Sequence, residues 1–166
     1  MSLLVLIGLP GVGKSSLAQA MAQRWGCEWV DTDDAIAQLV GRPAADFLRE
    51  AGEPAFRHQE LLALQSSLRA DNVVATGGGV VTTPEARRLL SDATTIWLDC
   101  PDAVILSRVV DGDRPLLHGD PQGVLTRLRR EREPWYRAVS RARIEASGTL
   151  EDVCARIEQV LAEVES

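Results

Sequence analysis

Residues 3 to 16 read L-L-V-L-I-G-L-P-G-V-G-K-S-S, with Gly8, Gly13, Lys14 and Ser15 in the spacing G-x-x-x-x-G-K-S. Glycines at 8, 11 and 13 let a backbone turn tightly with its N–H groups facing inward. Lys14 adds a point charge, and Ser15 a hydroxyl suited to Mg²⁺. Together with Gly11, Val12, Gly13 and Ser16 this stretch reads as a phosphate cradle, and the helix that follows adds its N-terminal dipole. The chain has 18 Lys and Arg residues, and Lys14 is the single lysine among them. A compact ammonium fits between phosphate oxygens where a planar guanidinium would not.

Three carboxylates follow in Asp31-Thr32-Asp33-Asp34. Asp34, and with it Asp33, has the position of an ordinary helix cap, whereas Asp31 sits at the carboxyl end of a strand, the edge where open α/β sheets bind ligands. The run N-V-V-A-T at 72 to 76 leads into Gly77-Gly78-Gly79, a bare backbone that permits positive φ and close approach of a ligand. Many phosphate-loop enzymes carry an aspartate at the end of such a strand to orient the Mg²⁺ shell. Here the strand ends in threonine and glycine, so Asp31 or Asp33 must serve instead. Arg57, near the start of a long helix, reads from the residues alone as a solvated side chain. Residues 111 to 121 are rich in turn formers and enclose Arg114. That length fits a mobile cover that excludes water, with Arg114 reaching a transferring phosphoryl group. His118 beside it reads as a surface residue, since phosphoryl transfer needs little proton chemistry.

The elements that must position these groups follow from periodicity and punctuation. Strands are expected at about 3–8, 27–31, 72–76, 94–98 and 143–146, alternating with helices at about 14–25, 35–40, 44–51, 54–69, 84–90, 102–110, 123–139 and a last helix capped by Thr149. Pro134 is expected to kink or divide the helix at 123–139. The pattern gives one α/β domain over 1–166. It has a helical insertion at about 33–62 for a second substrate and a cover at about 111–121.

Composition sets bounds on the partners. The 166 residues are 45% hydrophobic and 25% charged, with a formal charge of −6. That balance argues against a nucleic-acid or membrane surface. Arginines at 127, 129, 130 and 132 form a local basic cluster suited to a small anion. Cys27, Cys100 and Cys154 are scattered without metal spacing, which points to a reducing, cytoplasmic setting. The first apolar run reads as a strand and not as a signal peptide, and no run is long enough to span a bilayer.

Along nearly its whole length the chain resembles shikimate kinase. The resemblance rests on G-L-P-G-V-G-K-S-S at 8–16, D-T-D at 31–33, G-E-P-A-F-R at 52–57, T-G-G-G at 76–79, R-P-L-L at 114–117 and R-E-P-W-Y at 132–136. It implies a P-loop NTPase fold of the nucleoside monophosphate kinase type, a five-stranded parallel sheet of order 2-3-1-4-5, and a monomer that uses ATP and Mg²⁺ to phosphorylate the 3-hydroxyl of shikimate. By the same resemblance Asp33 holds the substrate hydroxyl, and Arg57 and Arg132 grip the carboxylate. Gly78 and Gly79 supply backbone contacts, Asp31 orients the Mg²⁺ shell beside Ser15, Arg108 contacts the nucleotide and Arg114 is the cover arginine. Departures from the family pattern are Trp135 in place of a smaller aliphatic residue, a short acidic stretch at 111–113, and no basic residue in 147–149. Two other readings of the residues are a kinase of another small hydroxy acid such as gluconate, and a nucleotide-binding module without chemistry.

Overall fold

The computed structural model describes residues 3–110 and 119–165. Five parallel strands form one sheet in the order β2-β3-β1-β4-β5: β1 Leu4–Ile7, β2 Glu28–Asp31, β3 Asn72–Ala75, β4 Thr95–Asp99 and β5 Ala142–Glu145. This is the expected order. The central strand β1 pairs Leu4 with Val73 on one side and Val5 with Thr95 on the other. Its four residues are all buried, as are the five of β4, so both strands are continuous apolar runs with only occasional polar residues. Burial on both faces is what parallel sheets covered by helices require.

The helices are α1 Lys14–Trp25, α2 Thr32–Val40, α3 Ala44–Ala51, α4 Glu53–Ser67, α5 Pro84–Asp92, α6 Asp102–Val110, α7 Pro121–Val139 and α8 Leu150–Glu165, with a short 3₁₀ turn at Val80–Thr82. None of the described helices is long and apolar enough to cross a membrane. The main core gathers both faces of the sheet, with Leu17, Met21, Ile105, Leu125 and Ile157 brought in from the helices. A second, smaller core of Ile36, Phe56 and Ala63 is flanked by Phe47 and Leu48, so α2, α3 and α4 pack on one another beside the sheet.

Helix ends follow the residues in the chain. Thr149 Oγ1 accepts from the Asp152 N–H at 3.1 Å, as expected of a cap. At α2 the cap is different from the expected one. Neither Asp33 nor Asp34 caps it; Asp31 does, with Oδ1 accepting from the Asp33 N–H at 2.8 Å. The helix starts earlier than its apolar spacing suggested, so Asp33 falls within its first turn. Nor does Pro134 divide α7, which continues for 19 residues through it. Proline removes one hydrogen bond, but Leu125, Leu128, Arg132, Tyr136 and Val139 bury one face on both sides of it.

Candidate active site

The phosphate loop joins β1 to α1. Gly11 and Gly13 have φ of 90° and 102°, in the region that favours glycine, and Gly13 leaves the first turn of α1 without a side-chain cap. An uncapped helix N-terminus is a ready anion site. Gly8 is required for space as well. A Cβ there would overlap the Leu98 carbonyl oxygen of β4, so only a bare backbone lets β1 turn against its neighbour. Lys14 is buried, and its Nζ donates to the carbonyls of Gly8 at 2.6 Å and Leu9 at 2.9 Å. Those two bonds hold the ammonium within the loop.

Beside Lys14, the Ser15 hydroxyl donates to Asp31 Oδ2. Asp31 therefore does two jobs, capping α2 with one oxygen and meeting the phosphate loop with the other. A hydroxyl and a carboxylate side by side are hard oxygen donors, the kind Mg²⁺ takes when phosphates supply its remaining ligands. Among the described residues no group of three or more His, Cys, Asp or Glu is placed to hold a metal ion.

The glycine triplet follows β3 at the same edge of the sheet. None of its residues has a φ in the left-handed region, so the expected use of positive φ is absent. The glycines are there for room. A Cβ on Gly77 would meet Glu60 Oε2 at 3.2 Å and Asp33 Oδ1 at 3.3 Å, and one on Gly78 would meet Arg132 Nη1 at 3.2 Å and Pro10 of the phosphate loop at 2.8 Å. On Gly79 it would overlap the Arg57 guanidinium. Gly77 thus makes space for two carboxylates and Gly78 and Gly79 for one guanidinium each, and the middle glycine also touches the phosphate loop. The triplet is held in place by Thr32 Oγ1, which accepts from the Gly77 N–H at 3.1 Å, and by the Tyr136 hydroxyl, which donates to the Gly78 carbonyl.

Arg57 is not solvated, as its position near a helix start had suggested. Only 13% of its side chain is exposed, and Nη1 donates to Glu60 Oε1 at 2.8 Å while Nε donates to Glu53 at 3.3 Å. Glu60 was not singled out in the sequence, although its i,i+3 spacing from Arg57 was visible there. Burial pushes its carboxyl above the usual range, an effect opposed by Arg57. A groove of about 610 Å³ opens beside Arg57, lined also by Glu53, His58, Thr82 and Glu85.

Arg132 is 6% exposed, and its Nε and Nη1 have no hydrogen-bond partner among the described residues. The rest of the expected basic cluster separates in the fold. Arg127 and Arg130 are exposed, and Arg129 turns to Asp99 at 3.0 Å and Asp102 at 2.7 Å. Only Arg132 of the four reaches the glycine triplet. Arg108 Nη1 donates to the Val12 carbonyl at 2.7 Å and Nη2 to the Ala146 carbonyl at 3.1 Å, so it bridges the phosphate loop and the end of β5. The segment 147–149 has no basic residue of its own, yet Arg156 of α8 donates to the Glu145 and Ser147 carbonyls, each at 2.8 Å. Trp135 lies under the Arg87 guanidinium, 4.7 Å from its ring centre. Arg114, His118 and the acidic stretch 111–113 lie outside the described residues.

Comparison with known proteins points to one family. A family model described as shikimate kinase matches residues 10–162. A shikimate kinase of Rhodococcus erythropolis is 39% identical over 147 residues, covering 87% of each chain, and one of Corynebacterium jeikeium is 34% identical over 163 residues, covering 94% of this chain and 88% of its own. The solved shikimate kinase of Acinetobacter baumannii in complex with shikimate superposes with a TM-score of 0.92 at 30% identity, over 98% of this chain and 94% of that one.

Proposed function

The chain belongs to the shikimate kinase family, and we propose that it transfers the γ-phosphoryl group of ATP to the 3-hydroxyl of shikimate, giving shikimate 3-phosphate and ADP for aromatic amino-acid synthesis. One observation carries this reading. A buried arginine with two unpartnered nitrogens lies over Gly78, whose other neighbour is Pro10 of the phosphate loop. Two buried guanidinium nitrogens without hydrogen bonds are costly unless an anion completes them. The anion they await therefore binds beside the nucleotide phosphates and not among them.

In this reading Arg132 and Arg57 take the acceptor carboxylate. Two planar forks fix a ring by direction as well as charge, which a neutral polyol could not satisfy. Glu60 holds Arg57 in position and keeps two neighbouring cations from facing each other uncompensated. Asp33, in the first turn of α2 and against Gly77, orients the acceptor hydroxyl and takes its proton. As the hydroxyl oxygen bonds to the γ-phosphorus, the bond from that phosphorus to the bridging oxygen breaks, and ADP leaves with the electron pair. Lys14 offsets charge on the phosphoryl oxygens throughout. Mg²⁺, carried by the nucleotide and held by Ser15 with Asp31 behind it, would neutralise phosphate charge. Arg108 borders the nucleotide side of the loop. Arg114 is assigned to the transferring phosphoryl group from the sequence alone, as is the cover at 111–121 that carries it.

An ADP-release assay with shikimate, quinate and gluconate tests the proposal. Release should depend on shikimate. Comparable release with gluconate would favour a different hydroxy-acid kinase, and none with any acid would favour a nucleotide-binding module.

A further inference from the structure

Tyr136 is the only tyrosine in the chain and is 1% exposed, deeper than most of the groups in the site. Phenylalanine would fill the same volume without a hydroxyl, and a buried hydroxyl must find a partner or cost free energy. The partner here is the Gly78 carbonyl. That carbonyl belongs to the peptide unit that also carries the Gly79 N–H. In a planar trans peptide the two point in opposite directions, so fixing one aims the other.

Arg132 and Tyr136 are four residues apart on α7 and share its buried face. Arg132 Nη1 lies against Gly78 from the same helix that sends Tyr136 to its carbonyl. One turn earlier, Arg129 ties α7 to Asp102 and Asp99. The helix is thus pinned on either side of Arg132, and the second pin is bonded to the glycine triplet itself. The Tyr136 ring is supported at its other side by Trp97 of β4, with centroids 6.0 Å apart and planes tilted by 32°.

We propose that Tyr136 is a positioning residue for the acceptor. Its hydroxyl fixes the Gly78–Gly79 peptide plane and thereby sets the direction of the Gly79 N–H relative to the Arg132 guanidinium. This rests on the acceptor reading given above, because it is the acceptor carboxylate that Arg132 and the glycine backbone would meet together. The Tyr136 hydroxyl bonds to the glycine triplet and not to the phosphate loop, so its effect should fall on the acceptor.

The test is steady-state kinetics of Tyr136→Phe and Trp97→Phe beside the wild-type enzyme, with shikimate and ATP varied separately. Losing one hydrogen bond that orients the grip should raise the shikimate KM by about fivefold. The ATP KM and kcat should stay within about twofold, as expected when the lost contact serves acceptor binding alone. Trp97→Phe loosens the same ring without removing the hydroxyl, so it should lower the melting temperature and leave the shikimate KM alone. KM does not depend on how much enzyme is folded, so a poorly folding variant still reports. A shikimate KM in Tyr136→Phe within twofold of wild type overturns the positioning role alone, as does an equal rise in Trp97→Phe. If the wild type fails to turn over shikimate, both the function and this role fall.

Discussion

An arginine that is 6% exposed and leaves two nitrogens without partners weakens the fold that contains it. Arg132 is such a residue, and the cost makes sense only if the position is kept for a ligand. Arg132→Met keeps the apolar stem and removes the charge. It should raise the melting temperature by about 2–4 °C, since removing a buried guanidinium that leaves two nitrogens without hydrogen bonds stabilises on the order of 1 kcal/mol in a chain of this size. The same variant should raise the shikimate KM by at least about tenfold, as a charged hydrogen bond is lost. Calorimetry and kinetics on one preparation check both halves, and a variant that is less stable with its KM unchanged would contradict the assignment. At this scale the cradle of Lys14 and Ser15 was legible because a phosphate loop is a local spacing, whereas Asp33 read from the residues alone as a helix cap or a Mg²⁺ partner and was assigned to the acceptor hydroxyl only through the family resemblance. Glu60 and Tyr136 were not legible, because their importance comes from partners that only the fold brings near. Arg57 shows the same limit: a helix-start arginine looks solvated until α4 turns it onto Gly79.

Glycines separate two reasons for the absence of a side chain. At Gly8 the backbone has φ of 149° and a Cβ would overlap the Leu98 carbonyl, a neighbour that cannot move without disturbing β4. At Gly79 φ is −94°, which any residue adopts, and the overlap is with the end of the flexible Arg57 side chain. Gly8→Ala should therefore destabilise the fold by about 1–3 kcal/mol, whereas Gly79→Ala should leave stability nearly unchanged and raise the shikimate KM by displacing Arg57. Chemical unfolding and kinetics of the pair distinguish them, and equal destabilisation by both would contradict the account. A sequence shows where glycines cluster but not which of these reasons applies. Element order and type were legible from alternating apolar runs and punctuation. The start of α2 was not, because Asp31 capped it while also bonding to Ser15, a contact sixteen residues away in sequence.

In the alkaline range the whole molecule carries a pH dependence to which Tyr136 contributes beside three cysteines whose thiols burial also pushes up. Burial pushes the Tyr136 phenol well above its ordinary value of 10, with Arg132 opposing only part of the rise. Below pH 10 both folded and unfolded chains keep this proton, and stability does not depend on it. Above pH 10 the unfolded phenol ionises while the folded one holds its proton, so the unfolded state gains and stability falls as pH rises. Denaturant unfolding at about pH 9 and about pH 11 should show this loss, and Tyr136→Phe should make the decline shallower. An identical decline in the variant would contradict the burial argument. The sheet order was anticipated through the family resemblance carried by six ordered motifs, and the cover at 111–121 remains a reading of the sequence. The central claim is the transfer of a phosphoryl group to one hydroxyl of shikimate, at a site where Arg132 and Arg57 hold the ring by its carboxylate. Phosphorus- and proton-detected NMR of the product formed from ATP and shikimate tests it most directly. The account predicts a single phosphate ester, coupled to the proton on the carbon that bears the 3-hydroxyl, with ADP formed in equal amount. An ester at another hydroxyl, a mixture of esters, or ADP without any ester would contradict it.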